Sequence, residues 1–273
     1  MDIEGLVDRL DQRTDSIIST FDTGFTKVLQ KAQVRVALAL RSQLDLDADG
    51  DIRSTVANLR AIKALPTMFR QALEKAGYDD LVVNFIASFD GGLPIMDDIL
   101  AQITNDYEIK VVKFTPEDKK YFAEMKTGLA VDLEAGIDTV ATQARRATLF
   151  SLGGTAFEDL TVDLAERLSA SYGQASTIAA TGISTFYRTI ADRGYQHIDD
   201  SLARTNRQLE YTYYGPQDKL TRPFCTRLMH QAANGKTWTR AVIEGMDNGQ
   251  LPNVFQTCGG FNCRHQWVVA LEH

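Results

Sequence analysis

Apolar residues recur three, four or seven positions apart through most of this chain, a spacing that predicts one amphipathic helix after another. Leu6, Leu10, Ile17, Phe21 and Phe25 stand as one stripe among Asp, Arg and Thr, and Val34, Val36, Ala37 and Leu40 carry it on. The run stops at Asp45-Leu46-Asp47-Ala48-Asp49-Gly50-Asp51 and resumes through Leu59, Ile62, Phe69 and Leu73, with Gly77 as its terminator. Pro66 has no N–H to donate and its ring crowds the previous turn, so it should kink or split this segment. Periodicity alone does not decide Leu81-Val82-Val83-Asn84-Phe85-Ile86. After the turn signal Gly91-Gly92-Leu93-Pro94, a short helix is expected from Ile95 to Ile103.

Thr115-Pro116-Glu117-Asp118 is a helix start, with Thr as N-cap, Pro at the first helical position and carboxylates at the positive end of the dipole. Helices should then run to about residue 205, interrupted near Gly153-Gly154 and at Gly173. The stripes Leu160, Leu164, Leu168, Tyr172 and Ile183, Phe186, Tyr187, Ile190 read as core or protein interface rather than as a cofactor site. Texture changes at Leu209. Leu209-Glu210-Tyr211-Thr212-Tyr213-Tyr214 alternates and is aromatic, which predicts a strand, and Gly215-Pro216 turns the chain. The expected fold is mainly α, an elongated multi-helix domain followed by a small α+β Cys/His module. Its regions are N-terminal helical (1–107), central helical (108–208) and C-terminal (209–273), with a boundary near 205–209.

Composition narrows this picture. The 273 residues suffice to bury a core, and the three cysteines, all beyond residue 224, are too few and too clustered for a disulfide framework. A reducing compartment follows as the expectation. The opening Met1–Leu6 has no basic or apolar leader character, and no stretch approaches the roughly 20 apolar residues of a membrane span, so neither export signal nor membrane anchor is expected. Net charge is −7, made of −10 over residues 1–200 and +3 over 201–273. The acidic helical part disfavours nucleic acid, and an excess of three cations is thin for a phosphate-tracking surface. DNA is thus not expected as the main partner.

Two motifs could carry chemistry. Asp45 to Asp51 opens like a calcium loop, D-x-D-x-D-G, but the twelfth position is Val56 where a bidentate Glu is required. Calcium is not expected; the Asp residues read as a helix–helix turn that caps the following helix. In Cys258-Gly259-Gly260-Phe261-Asn262-Cys263-Arg264-His265, two thiols and an imidazole fall within eight residues, and the glycines let the backbone fold back on itself. If Cys263 to Trp267 is extended, Cys263 and His265 share a face and Arg264 points away. With Cys225 the set Cys225, Cys258, Cys263 and His265 has the composition of a closed zinc site, although C-x₄-C and C-x-H differ from zinc-ribbon spacing and buried thiols are the alternative. His230 could replace His265. His197 and His273 have no ligand-like neighbours in sequence. A nucleophilic arrangement of Cys225, His265 and Asp218 can be drawn, but no complete catalytic motif is present and no catalytic residue is assigned.

Tyr213-Tyr214-Gly215-Pro216-Gln217-Asp218-Lys219-Leu220-Thr221-Arg222-Pro223-Phe224-Cys225, then Gly235-Lys236-Thr237-Trp238-Thr239, then Gly259 through Trp267, resembles the C-terminal region of tailed-phage minor head proteins. These are head-morphogenesis proteins similar to the F protein of phage Mu. The likeness covers about 60 residues, and the helix bearing Ala175, Thr177, Ala180, Thr181 and Arg188 resembles the alanine- and threonine-rich helix that precedes the family's module. The commoner ending is His-Pro-x-Cys-Arg-Cys; here Gly-Gly-Phe-Asn precedes Cys263 and His265 replaces the last Cys, an exchange that keeps a zinc-compatible side chain. The resemblance implies a structural virion or capsid-assembly protein near the portal, made in the host cytoplasm and packed against portal, capsid or scaffold proteins. It also allows ejection with the genome. A metal-dependent nuclease or toxin-like enzyme in the module, or a DNA-binding adaptor, remain the alternatives at this point.

Overall fold

A computed structural model describes residues 3–150 and 155–271. The chain is mainly helical, with one small antiparallel sheet near its C-terminus. In order it forms α1 (Ile3–Gln43), α2 (Val56–Lys63), α3 (Leu65–Ala76), α4 (Tyr78–Ser88), a 3₁₀ turn (Phe89–Gly92), α5 (Leu93–Asp106), α6 (Pro116–Phe150) and α7 (Phe157–Ala203). Then come β1 (Tyr211–Tyr214), α8 (Pro223–Ala233), α9 (Arg240–Glu244), α10 (Val254–Thr257) and β2 (Gln266–Val269). Two compact units are built from non-consecutive segments.

One unit takes Ile17–Ser88 and Gly128–Ala179. Its core stacks Phe21 on Phe25 and packs Phe21 against Phe85 at 4.6 Å and Phe25 against Tyr78 at 5.7 Å. Ile62, Leu65, Phe69, Leu133, Leu160, Leu164 and Leu168 are buried with them. The predicted stripe needs two corrections: Val34 is 60% and Leu59 42% exposed, because Ala32, Val36 and Leu40 hold the inward positions of α1, and Ile62 and Ala61 those of α2. Pro66 splits the helix as expected, at the first turn of α3, and Gly77 closes α3 in the left-handed conformation at φ 97°. The undecided segment 81–86 is helical, within α4.

The Asp45–Asp51 run is a tight loop. Asp47 Oδ1 accepts from the backbone N–H of Asp49 and Asp51 at 3.0 and 2.9 Å, and Leu46 bridges Ile52. The expectation that its Asp residues cap the next helix is corrected: Thr55 is the N-cap, accepting from Asn58 N–H. Fully buried Asn58 ties the loop instead, accepting from Asp45 N–H and donating to the carbonyls of Asp45 and Arg53 at 2.7 to 2.8 Å.

The other unit takes Met1–Ser16, Phe89–Thr127 and Ala180–His273. Phe89, Phe122, Phe186 and Tyr187 form an aromatic cluster, and the Tyr187 hydroxyl donates to Phe89 O at 2.8 Å. Ile183, Ile190, Ile198 and Leu202 line the buried side of α7 in this unit. The Thr115 start forms a reciprocal cap with Asp118: Asp118 N–H donates to Thr115 Oγ1 at 3.1 Å, and Thr115 N–H donates to the Asp118 carboxylate at 2.8 Å. His197 Nε2 lies 2.9 Å from the same carboxylate.

Gly173 does not interrupt α7, which runs unbroken from Phe157 to Ala203. A single exposed glycine weakens a helix by roughly 0.5–1 kcal/mol, too little to break one anchored by buried residues every turn. The expected break at Gly153-Gly154 lies outside the described residues, as does His273. Among the described residues no helix is long and apolar enough to cross a membrane.

Candidate metal centre

The strand predicted after Leu209 forms and finds its partner at the end of the chain. Strand β1 pairs antiparallel with β2 in the register Tyr211↔Val269, Thr212↔Val268, Tyr213↔Trp267, Tyr214↔Gln266. Alternation sends Tyr211 and Tyr213 inward, and the pairing places Trp267 beside Tyr213 with ring centroids 4.7 Å apart. A backbone bridge between Tyr211 and Trp238, 2.9 Å in each direction, continues the edge of the sheet, and Trp238 packs edge-on against Trp267.

Helix α8 begins where Pro223 supplies the first helical residue. That puts Cys225 in its first turn. Arg222, the N-cap, reaches across to donate to the carbonyls of Gly259 and Phe261, fastening the segment 258–263 to the start of α8. This segment turns sharply through three residues with positive φ, Cys258 at 50°, Gly260 at 93° and Asn262 at 54°. Gly259 allows the closest approach: a Cβ there would stand 2.3 Å from Cys225 Sγ and 3.1 Å from Cys263 Sγ. From the other side, buried Arg188 of α7 donates to Cys263 O, and Thr181 accepts from Asn262 N–H at 3.1 Å.

These elements converge on three side chains. Cys225 Sγ and Cys263 Sγ are 3.8 Å apart, and Cys263 Sγ is 3.6 Å from His265 Nδ1. All three ligand atoms lie within 4.8 Å of one another, and the residues are 1, 3 and 3% exposed. The Cys263 sulfur also accepts from Gly259 N–H at 3.1 Å. The His265 ring lies flat against Tyr213, with centroids 5.3 Å apart and planes 3° off parallel. Gly215 leaves room for it, since a Cβ there would meet His265 Cα and Cδ2 at 2.8 Å. The Nε2 of His265 is buried with no hydrogen-bond partner, so Nδ1 is the nitrogen turned to the sulfurs.

The electrostatics suit a cation. The Cys263 thiol is pulled down, first by the hydrogen bond from the Cys225 thiol and then, against its burial, by His265 and the Arg188 guanidinium. Cys225 is pushed up, because it holds the proton beside that thiolate and is itself desolvated. A bound dication would take the place of the thiol protons. These three side chains can bind a metal ion.

Cys258 is not in this group. It is fully buried, its Sγ faces Phe255 O at 4.0 Å, and burial pushes its thiol up to about 12. His230 lies exposed near the end of α8 and pairs with Asn234, so it does not replace His265. Asp218 is bound to Arg264 at 2.7 Å, and Arg264 does point away from the cluster. Two contributors lie outside the expected ligand set. Tyr213 is signalled only by strand alternation, and Arg188, 75 residues before Cys263, carries no local signal of where its side chain goes.

The fold and site define a class: a mainly helical protein whose C-terminal two-stranded module encloses a Cys₂His cluster able to hold a metal. No protein-family model, no curated protein and no solved structure matches the chain.

Proposed function

We propose that this protein is a structural component of a tailed-phage head or of its assembly intermediates, and that its C-terminal module is folded round one zinc ion. The observation that carries the metal reading is the shape of the donor cluster. Zinc bonds near 2.3 Å to sulfur and 2.0–2.1 Å to nitrogen, arranged tetrahedrally, set edges of about 3.8 Å between two sulfurs and about 3.6 Å between sulfur and nitrogen. The separations in the structure are 3.8 and 3.6 Å. Donors exposed by 3% or less wall the metal from any substrate, which favours a structural over a catalytic site.

The virion reading is supported by the residues that resemble minor head proteins. Tyr213 of β1, Cys225 of α8, Trp238 after α8, Cys263 and His265 in the turn before β2, and Trp267 of β2 meet around this one cluster. Such a module suits a rigid docking piece held against portal, capsid or scaffold proteins, and the reading requires no catalytic residue. DNA is not the main partner.

Metal analysis of the purified protein should give one zinc per chain. In purified particles the protein should be present at low copy near the portal, and Cys263→Ser should reduce its incorporation. Absence from both particles and head-assembly intermediates would overturn the virion reading. Zinc-free protein that folds unaltered after Cys263→Ser would return the cluster to buried thiols.

A further inference from the structure

We infer that α1 and α7, within the unit built from Ile17–Ser88 and Gly128–Ala179, form a self-complementary docking surface whose occupant is a second copy of this chain. The inference is independent of the metal reading. From Lys27 to Arg41, α1 carries four cations and no carboxylate; from Phe157 to Glu166, α7 carries four carboxylates and no cation. Each charged stretch has exposed aliphatic residues in its midst: Val34 and Leu38 on α1, 60% and 64% exposed, and Val162 on α7, 60% exposed. Among the described residues Lys27, Lys31 and Arg35 enter no ion pair, and Asp163 is paired with Arg167, one turn along its own helix.

The two faces lie side by side. Gln33 donates to Ala165 O at 2.9 Å and to Ser169 Oγ at 3.1 Å, Phe25 stacks near Tyr172, and Arg41 lies over the Phe157 ring at 5.2 Å, so α1 and α7 run antiparallel. With 3.6 residues per turn, Lys27, Val34 and Leu38 point away from the buried Ala32, Val36 and Leu40, and Val162 and Glu166 point away from the buried Leu160, Leu164 and Leu168. Because the helices are antiparallel and share one core, both exposed faces look to the same side.

A twofold axis parallel to the helices sets each α1 on the other copy's α7, antiparallel, as within one chain. Kept in the register of the intrachain contacts, Val162 of one copy falls between Val34 and Leu38 of the other, Arg35 reaches the level of Asp163 and Lys31 that of Glu166. The aliphatic residues are then enclosed by opposite charges, the apolar centre and polar rim of an interface. An axis that stacked α1 on α1 would oppose cations to cations. Nucleic acid is the poorer occupant, because the acidic α7 face repels phosphate. From Lys27 to Arg41 is about 21 Å along the axis, and two helices side by side are about 20 Å across. That footprint is at the small end of specific interfaces, so association in the micromolar range is expected.

The test is sedimentation equilibrium on the full-length protein and two double variants. Wild type should dimerise in the micromolar range, more weakly as salt rises. Lys31→Glu with Arg35→Glu, and separately Asp163→Lys with Glu166→Lys, should each weaken self-association by about tenfold or more. Mixed in equal amounts, the two variants should recover the dimer, because every α1–α7 contact in the mixed pair joins opposite charges. Far-ultraviolet circular dichroism of each variant separates a lost dimer from a lost fold, and the wild-type concentration and salt series stands without either variant. A wild type that stays monomeric at several hundred micromolar, a dimer that neither variant weakens, or folded variants that do not associate when mixed would overturn the inference. A monomeric wild type that binds duplex DNA, with an affinity lost in the Lys31→Glu, Arg35→Glu variant, would overturn it in favour of nucleic acid.

Discussion

Replacing Gly259 by alanine tests the packing of the centre most directly. The substitution adds one methyl group whose carbon would stand 2.3 Å from Cys225 Sγ and 3.1 Å from Cys263 Sγ. Non-bonded heavy atoms rest about 3.5–4.0 Å apart, so the Cys225 sulfur would have to retreat by more than ~1 Å. It has little room to do so, being fixed to the first turn of α8 and lying 3.8 Å from the Cys263 sulfur. Gly259 does not have a positive φ, so the backbone itself accepts alanine and the cost is steric alone. Overpacking of this kind costs about 1–3 kcal/mol, and the displaced sulfur should also lower zinc content. Gly173→Ala is the matched control: nothing lies within 4 Å of its Cβ, and inside a helix the change should stabilise by about 0.5–1 kcal/mol. Trp238 and Trp267 are the only two tryptophans, both buried in the module, so their emission reads the centre while far-ultraviolet circular dichroism reads the helices. Urea titrations should lower the tryptophan-reported stability for Gly259→Ala and raise the dichroism-reported stability for Gly173→Ala. A Gly259→Ala protein with wild-type zinc content and an unshifted tryptophan transition would refute the geometry of the two sulfurs.

Three further outcomes are expected. Chelation should shift tryptophan emission and loosen residues 209–271 to proteolysis while leaving the helical dichroism largely intact, because the module's short turns bury less apolar surface than the helices and depend on the metal to offset their ordering entropy. Asn58→Ala deletes three hydrogen bonds at a fully buried site and should cost about 2–4 kcal/mol in urea denaturation, since each is worth roughly 0.5–1.5 kcal/mol net. Asp11 is raised to about 7, first by burial and then by the nearby Asp15 and Asp8, against the opposing charge of Arg188 and the hydrogen bond from Gln266. Its folded pKa exceeds the unfolded value, so the group erodes stability as pH climbs from about 4 to 7 and the loss is complete above that. Asp11→Asn should therefore gain over wild type with rising pH, by about 1–2 kcal/mol at pH 8 once water around this half-buried carboxylate is allowed for; equal gains at pH 4 and pH 8 would refute the assignment.

Much of this architecture was legible in one dimension. Helices with buried stripes, the split at Pro66, the left-handed stop at Gly77, the Thr115–Asp118 cap and the strand after Leu209 all depend on residues within a few positions of one another. The pairing of Cys263 with His265 is of the same kind, because residues two apart in extended chain share a face. The inward Val34 and Leu59 and the break at Gly173 failed for one reason: local spacing offers several faces, and packing chooses among them. Only the tertiary structure could decide who meets at the centre. The β1–β2 register brings Tyr213 against His265 and the two sulfurs, and Arg188 arrives from a helix 75 residues earlier. Sequence spacing fixes which face a side chain shares with its near neighbours, whereas a site assembled from α7, β1, α8 and the turn before β2 depends on long-range packing that no local pattern encodes.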